Sequence, residues 1–150
     1  MSELAVDLVW ERNTEALING QIENAHEVHY NSLYRVKADA APSWGGAVEN
    51  TNPEQALAAA VSSCHMMTFL SLAAKSEWPV KTYRDHASAT LGKNSKGRMC
   101  VTALELRPEV TFDEGFEVTA EKLAQMQDRA HRYCFVANSL SDEVSVRVLT

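Results

Sequence analysis

The chain has 150 residues, a net charge of −6 and a pI near 5.3. That length builds one domain, residues 1–150, with a sizeable core and no need of disulfides or metal. The acidic balance, without a dense Lys/Arg run, argues against nucleic acid as a partner and gives no help in docking on an anionic membrane.

The first residues are acidic and lack the basic start and apolar stretch of a signal peptide. A cytoplasmic protein is the expectation. Residues 4–10 are apolar with one acid and read as a first strand. Residues 28–38 alternate loosely and read as another. Residues 40–51 hold Pro42, Gly45, Gly46 and Asn50 and read as a loop. A long helix follows. Asn52 suits its cap, Pro53 the first helical position and Gln55 the reciprocal capping place. Alanines and leucines carry it to about Ser76, and Trp78-Pro79 closes it. Its residues are apolar or small nearly all round, which predicts burial on most faces by sheet or by a partner subunit. Polar Ser62, Ser63, His65, Thr68 and Ser71 argue against a membrane span.

Residues 83–92 and 98–112 read as the strands of a hairpin, with residues 93–97 as its turn. Thr119 opens a second helix, with Leu123, Met126, Ala130 and Tyr133 or Cys134 on its apolar face. Residues 144–148 alternate as a last strand. The order predicts an α+β domain. No Gly-rich phosphate loop follows a strand, which argues against nucleotide-binding folds.

Three cysteines are an odd count, so no fully paired disulfide framework exists within one chain. In a reducing cytoplasm a cysteine pair is more often catalytic or redox-sensing than structural. Cys64 and Cys134 each stand beside a histidine in an apolar setting, Ser63-Cys64-His65-Met66 and His131-Arg132-Tyr133-Cys134. They are too far apart for a local CxxC motif, but two helices could bring them together. Alone, each is ordinary buried packing. Cys100, in a strand-like run, reads as structural.

A reactive Cys64 must be a thiolate. It lies too deep in its helix for the macrodipole to activate it. An arginine is the best activator, since it stays charged when buried, and Glu54 could hold that arginine. In one straight helix Glu54 lies about 15 Å from Cys64. Either the helix bends or the helices of two subunits cross. His65 points about 100° away from Cys64 and reads as packing or partner contact. His131 shares a helical face with Cys134. A zinc site from Cys64, His131 and Cys134 lacks the usual short ligand spacings, so no metal is expected. Ser62-Ser63 has no nucleophile-elbow setting.

Asn52-Pro53-Glu54-Gln55, with a cysteine ten residues after the glutamate, resembles the first signature of the OsmC/Ohr family of thiol peroxidases. His131-Arg132-Tyr133-Cys134-Phe135-Val136-Ala137-Asn138-Ser139 is similar to the second, which carries a helical cysteine. The resemblance covers nearly the whole chain. It implies an OsmC-like fold, with antiparallel sheets wrapped around a long central helix in an intertwined homodimer. It also implies Cys64 as peroxidatic thiol, Cys134 as resolving thiol and Glu54 as anchor of an activating arginine. Arg12 is favoured for that arginine, with Arg35 the other candidate. No cofactor is implied, neither metal nor flavin. Many members follow the second cysteine with proline, where this chain has Phe135. The Cys64-His65-Met66 wording resembles an OsmC-like subgroup more than the organic-peroxide specialists.

The expectation is a cysteine-based peroxidase. Cys64 reduces a hydroperoxide, the sulfenic acid condenses with Cys134 to a disulfide, and an external dithiol restores both thiols. Met66, Met67, Phe69 and Phe135 suggest an apolar wall for an alkyl or lipid hydroperoxide. The alternatives are a thiol redox sensor without fast turnover and a non-catalytic small-molecule binding module.

Overall fold

A computed structural model describes residues 4–150. Its contacts divide the chain into two compact units, Met1–Ala56 and Leu57–Thr150. In the first, β1 (Asp7–Val9), β2 (His26–His29) and β3 (Arg35–Ala38) form an antiparallel sheet in that order. The expected strand over 28–38 is thus two strands and a turn. Asn31 makes the turn: its Oδ1 accepts the N–H groups of Leu33 at 2.8 Å and Tyr34 at 3.0 Å. Such local side-chain bonds compete with strand pairing.

The 40–51 loop is closed by Asp39, whose carboxylate accepts the N–H groups of Ala40 at 2.7 Å and Ala47 at 3.1 Å. Gly46 is obligatory there, because a Cβ would stand 1.7 Å from the Ala40 carbonyl oxygen. The long helix α1 (Pro53–Lys75) follows, and Asn52 Oδ1 accepts the Gln55 N–H at 2.9 Å as its cap. At its other end Trp78 N–H reaches Ala73 O at 2.9 Å and Glu77 N–H reaches Ala74 O at 3.1 Å. That pattern puts Glu77 in the left-handed region, φ 57°, where glycine is usual.

The second unit contains most of α1. β4 (Val80–Asp85) pairs with β7 (Pro108–Phe112), while β5 (Ser88–Lys93) pairs with β6 (Met99–Leu106). The expected single hairpin is therefore split between two sheets. Two features cause the break. Pro108 has no N–H to carry the ladder onward. Asp85 is the last residue of β4, its carboxylate taking the Arg107 N–H at 2.6 Å and the Ser62 hydroxyl of α1. α2 (Ala120–Tyr133), capped by Thr119 Oγ1 on Lys122 N–H, returns the chain. β8 (Ser145–Val148) then joins β6 in parallel, so the sheets are not purely antiparallel. A parallel neighbour requires a crossover of this kind.

Two apolar clusters hold this unit. Ala58 and Val61 of α1 pack on Leu104 and Leu106 of β6. Phe69 and Ala73 pack on Met126 and Ala130 of α2. Only one stripe of α1 is buried: Ala58, Val61, His65, Phe69 and Ala73. The expectation of burial on most faces does not hold within one chain. Ala59, Ala60, Ser63, Met67 and Ala74 remain exposed on the helix. By length and a mean hydropathy of 1.5, α1 passes for a membrane span. Its central His65 is instead bonded to α2, the setting of a core helix.

Candidate active site

α1 and α2 pass each other antiparallel. Cys134 lies against Val61, Gln127 against His65, and Met126 beside Phe69 and Ala73. Cys134 is not helical, as the resemblance implied, but stands at a break. It ends α2 and precedes the short helix α3 (Phe135–Asn138), with φ −73° and ψ 109°. The Asn138 side-chain amide holds the break by donating to Arg132 O at 3.0 Å. This kink turns the Cys134 side chain inward, where it is fully buried. Cys64, half-buried on α1, meets it there, near enough for each thiol to shift the other's pKa.

The environment differentiates the two sulfurs. Burial raises the Cys64 pKa, but the Val136 N–H, the Cys134 thiol, the Phe135 N–H and the Thr68 hydroxyl together outweigh it, and the net shift is downward. Cys134 moves the other way. Burial is the main cause, the proton it holds against Cys64 adds to it, and its pKa is pushed up to about 11. Cys64 is thus the more acidic thiol of the pair and Cys134 the less acidic. Sequence reasoning sought a cation for this task and missed the backbone N–H groups, because they follow from the kink at Cys134. One of them belongs to Phe135, where proline would supply none. Phe135→Pro should raise the Cys64 pKa and slow its alkylation by iodoacetamide at pH 7 several-fold. A titration of thiolate absorbance checks it.

A groove of about 560 Å3 opens beside Cys64, lined by Cys64, Met67, Thr68, Ser71, Leu72 and Lys75 of α1 and by Arg129, Tyr133 and Phe135. Its α1 residues recur at three- and four-residue steps and so share one face. Met67 and Phe135 belong to it, as the sequence suggested. Phe69 does not: it is fully buried in the core. Met66 is also absent from the lining.

Behind the thiols lies a buried polar cluster. His65 Nε2 bonds Gln127 Oε1 at 2.7 Å, and both side chains are buried. Burial first, and His131 second among the opposing influences, depress the His65 pKa against the Gln127 bond and Asp85. The unfolded chain takes up this proton near pH 6.5, and the folded one only at lower pH. Stability is therefore expected to fall as pH drops below about 6.5, by up to one proton's worth of slope. Urea denaturation at pH 7.5 and 5.5 measures it, and His65→Gln should flatten the dependence.

The other candidates stand as follows. Glu54 opens α1, and its Oε2 is buried without a hydrogen-bond partner. Arg12 Nη1 sits 3.5 Å from Glu15 Oε2, with both side chains exposed, and so does not pair with Glu54 within the chain. Arg35 stands on β3 opposite His29. Cys100 lies on β6 opposite Gly92.

Among curated proteins none matches the chain. A solved OsmC-like protein of unknown function from Vibrio cholerae O1 biovar eltor is 38% identical. The match covers 99% of this chain and 100% of that one, with a TM-score of 0.89. An organic hydroperoxide resistance protein OsmC from Legionella pneumophila shares the fold at 16% identity and TM-score 0.74, over 99% of this chain and 96% of its own. An organic hydroperoxide resistance protein of Bacillus subtilis does so at 17% and 0.65, over 96% of each. The family model described as OsmC-like protein matches residues 45–148, which include both cysteines and the helix between Asn52 and Lys75, and the chain belongs to that family.

Proposed function

We propose that the protein is a cytoplasmic cysteine-based peroxidase that reduces organic hydroperoxides. The observation that carries this reading is the asymmetric thiol pair, a Cys64 with lowered pKa beside a buried Cys134 with raised pKa. Cys64 thiolate attacks the terminal oxygen of the hydroperoxide. The O–O bond breaks, an alkoxide leaves and takes a proton to become the alcohol, and Cys64 becomes a sulfenic acid. Cys134 thiol condenses with it, releasing water and forming the Cys64–Cys134 disulfide. An external dithiol then gives two electrons and two protons by exchange. No metal or cofactor takes part in this scheme.

The same reading includes a homodimer. Its support is the exposed apolar surface beside the site: Met67 is 58% exposed and Phe135 81%. A second copy would cover the open stripe of α1. It would also supply the arginine that the buried Glu54 oxygen lacks, Arg12 or Arg35 from its N-terminal sheet.

Counting free thiols in the denatured protein tests the chemistry. After one equivalent of cumene hydroperoxide, the three thiols should fall to one, and Cys64→Ser should lose none. Intermolecular bands on a non-reducing gel, or no loss of thiols in the wild type, would sink the scheme. A protein that oxidises once and is not returned by dithiothreitol would be a sensor instead.

A further inference from the structure

Disulfide closure demands something of Cys134 that the thiol pair does not supply. Its sulfur must lose a proton to attack. Burial pushes its pKa up to about 11, so near neutral pH only about one molecule in ten thousand holds it as thiolate. A base beside it would lift that restriction. His131 is placed to act as one. It lies three residues before Cys134, whose φ of −73° is still helical. The helix breaks in the ψ of 109°, which turns the chain beyond Cys134 and leaves its own Cβ where the helix puts it. The Cys134 N–H still closes the last turn on His131 O at 3.2 Å. The two side chains are therefore neighbours on one helical face, with Cβ atoms about 5–6 Å apart.

The ring itself is poised for the task. His131 Nδ1 is buried and has no hydrogen-bond partner among the described residues. Nδ1 is the buried end of a part-exposed ring, so Nε2 is the nitrogen nearer solvent. An imidazole with its hydrogen on Nε2 offers a free lone pair at Nδ1. The titratable groups packed around it are Cys64 and His65 of α1 and Tyr83 and Asp85 of β4. The other possible bases are less well placed. The Asp85 carboxylate is occupied by Ser62 and the Arg107 N–H. His65 Nδ1 is also unpartnered, but that ring is fully buried against Gln127, about 10 Å along α2 from Cys134.

We propose that His131 is the base of the resolving step, taking the Cys134 proton at Nδ1 as the disulfide closes and releasing one from Nε2. This role rests on the peroxidase reading and adds a residue to it. The Cys134 sulfur gives its electron pair to the Cys64 sulfur. The S–O bond of the sulfenic acid breaks, and its pair leaves with hydroxide. The proton released by His131 makes that hydroxide water. The imidazole carries protons only, and ends neutral.

Stopped-flow reaction with Ellman's reagent isolates the step, in a Cys100→Ser background so that only the pair reacts. Cys64 attacks first and releases one thionitrobenzoate. Cys134 then displaces the second, a leaving group that needs no proton, so its release reads deprotonation of Cys134. His131→Gln should slow the second release about 100-fold and leave the first within about twofold, a split that loss of folding would not produce. From about pH 8 to 9 the wild-type second step should be nearly flat. In His131→Gln it should climb about tenfold per pH unit, following the thiolate fraction of Cys134. A wild-type rate that climbs that steeply, or a His131→Gln rate within about threefold of wild type, would overturn the proposal. The first of these outcomes needs no variant. After one equivalent of cumene hydroperoxide, disulfide closure slowed in the same variant upholds the role, and closure at the wild-type rate refutes it. If Cys64 is not oxidised at all, the peroxidase reading falls, and the Ellman kinetics still decide whether His131 serves Cys134.

Discussion

Cys134→Ser is expected to reduce a first equivalent of hydroperoxide as wild type does and then to lose nearly all further turnover. Cys64 keeps its Val136, Phe135 and Thr68 donors in that variant and still forms the sulfenic acid. Without the second thiol no disulfide closes, and the dithiol must attack the sulfenic acid directly. Steady-state turnover should fall by about a hundredfold or more while the first oxidation survives. Excess hydroperoxide should carry Cys64 on to the sulfinic acid, since nothing traps the sulfenic state. Mass spectrometry of the intact chain reads both results. Undiminished turnover in Cys134→Ser would remove the resolving role from Cys134. The stability cost should be small, because serine replaces sulfur in a buried place with a weak bond to Val61 O at 4.0 Å.

Phe69→Ala should destabilise the fold by about 3–5 kcal/mol. The ring is fully buried and packs at 5.5 Å from the Tyr83 ring, in the cluster with Ala73, Met126 and Ala130. A domain's whole stability is only about 5–15 kcal/mol. At this chain length the melting temperature should drop by roughly 6–20 °C. The loss also bears on chemistry. Phe69 holds α1 against α2, and that packing brings Cys134 to Cys64. In the variant, disulfide formation after oxidation should therefore slow even below the melting point, which quenched-flow thiol counting would detect. A melting point within a few degrees of wild type would show that the cluster repacks.

Local signals marked the helix ends well. Asn52 and Pro53 start α1, and Thr119 starts α2, because capping is chemistry between near neighbours in the chain. The loop at 40–51 was legible for the same reason, and the α+β order followed from the succession of periods. Strand partners were legible only next to the 93–97 turn, where β5 pairs with β6 as the predicted hairpin has it. Residues 83–92 and 98–112 contain two facing apolar runs, but Pro108 and the Asp85 bonds to Ser62 and Arg107 divide them between two sheets. Those bonds join residues more than twenty positions apart, and no local period encodes them.

The site divides in the same way. The spacing from Asn52 to Cys64 and the run from His131 to Ser139 already pointed to a thiol pair and to its family. What distinguishes the two sulfurs is tertiary. Cys64 gains donors only because the chain kinks at Cys134 and turns the Phe135 and Val136 N–H groups toward it. Cys134 keeps its proton because the packing of α1 on α2 buries it. A thiol's identity is written in the sequence, but its pKa is set by burial and by the donors that the fold brings within reach.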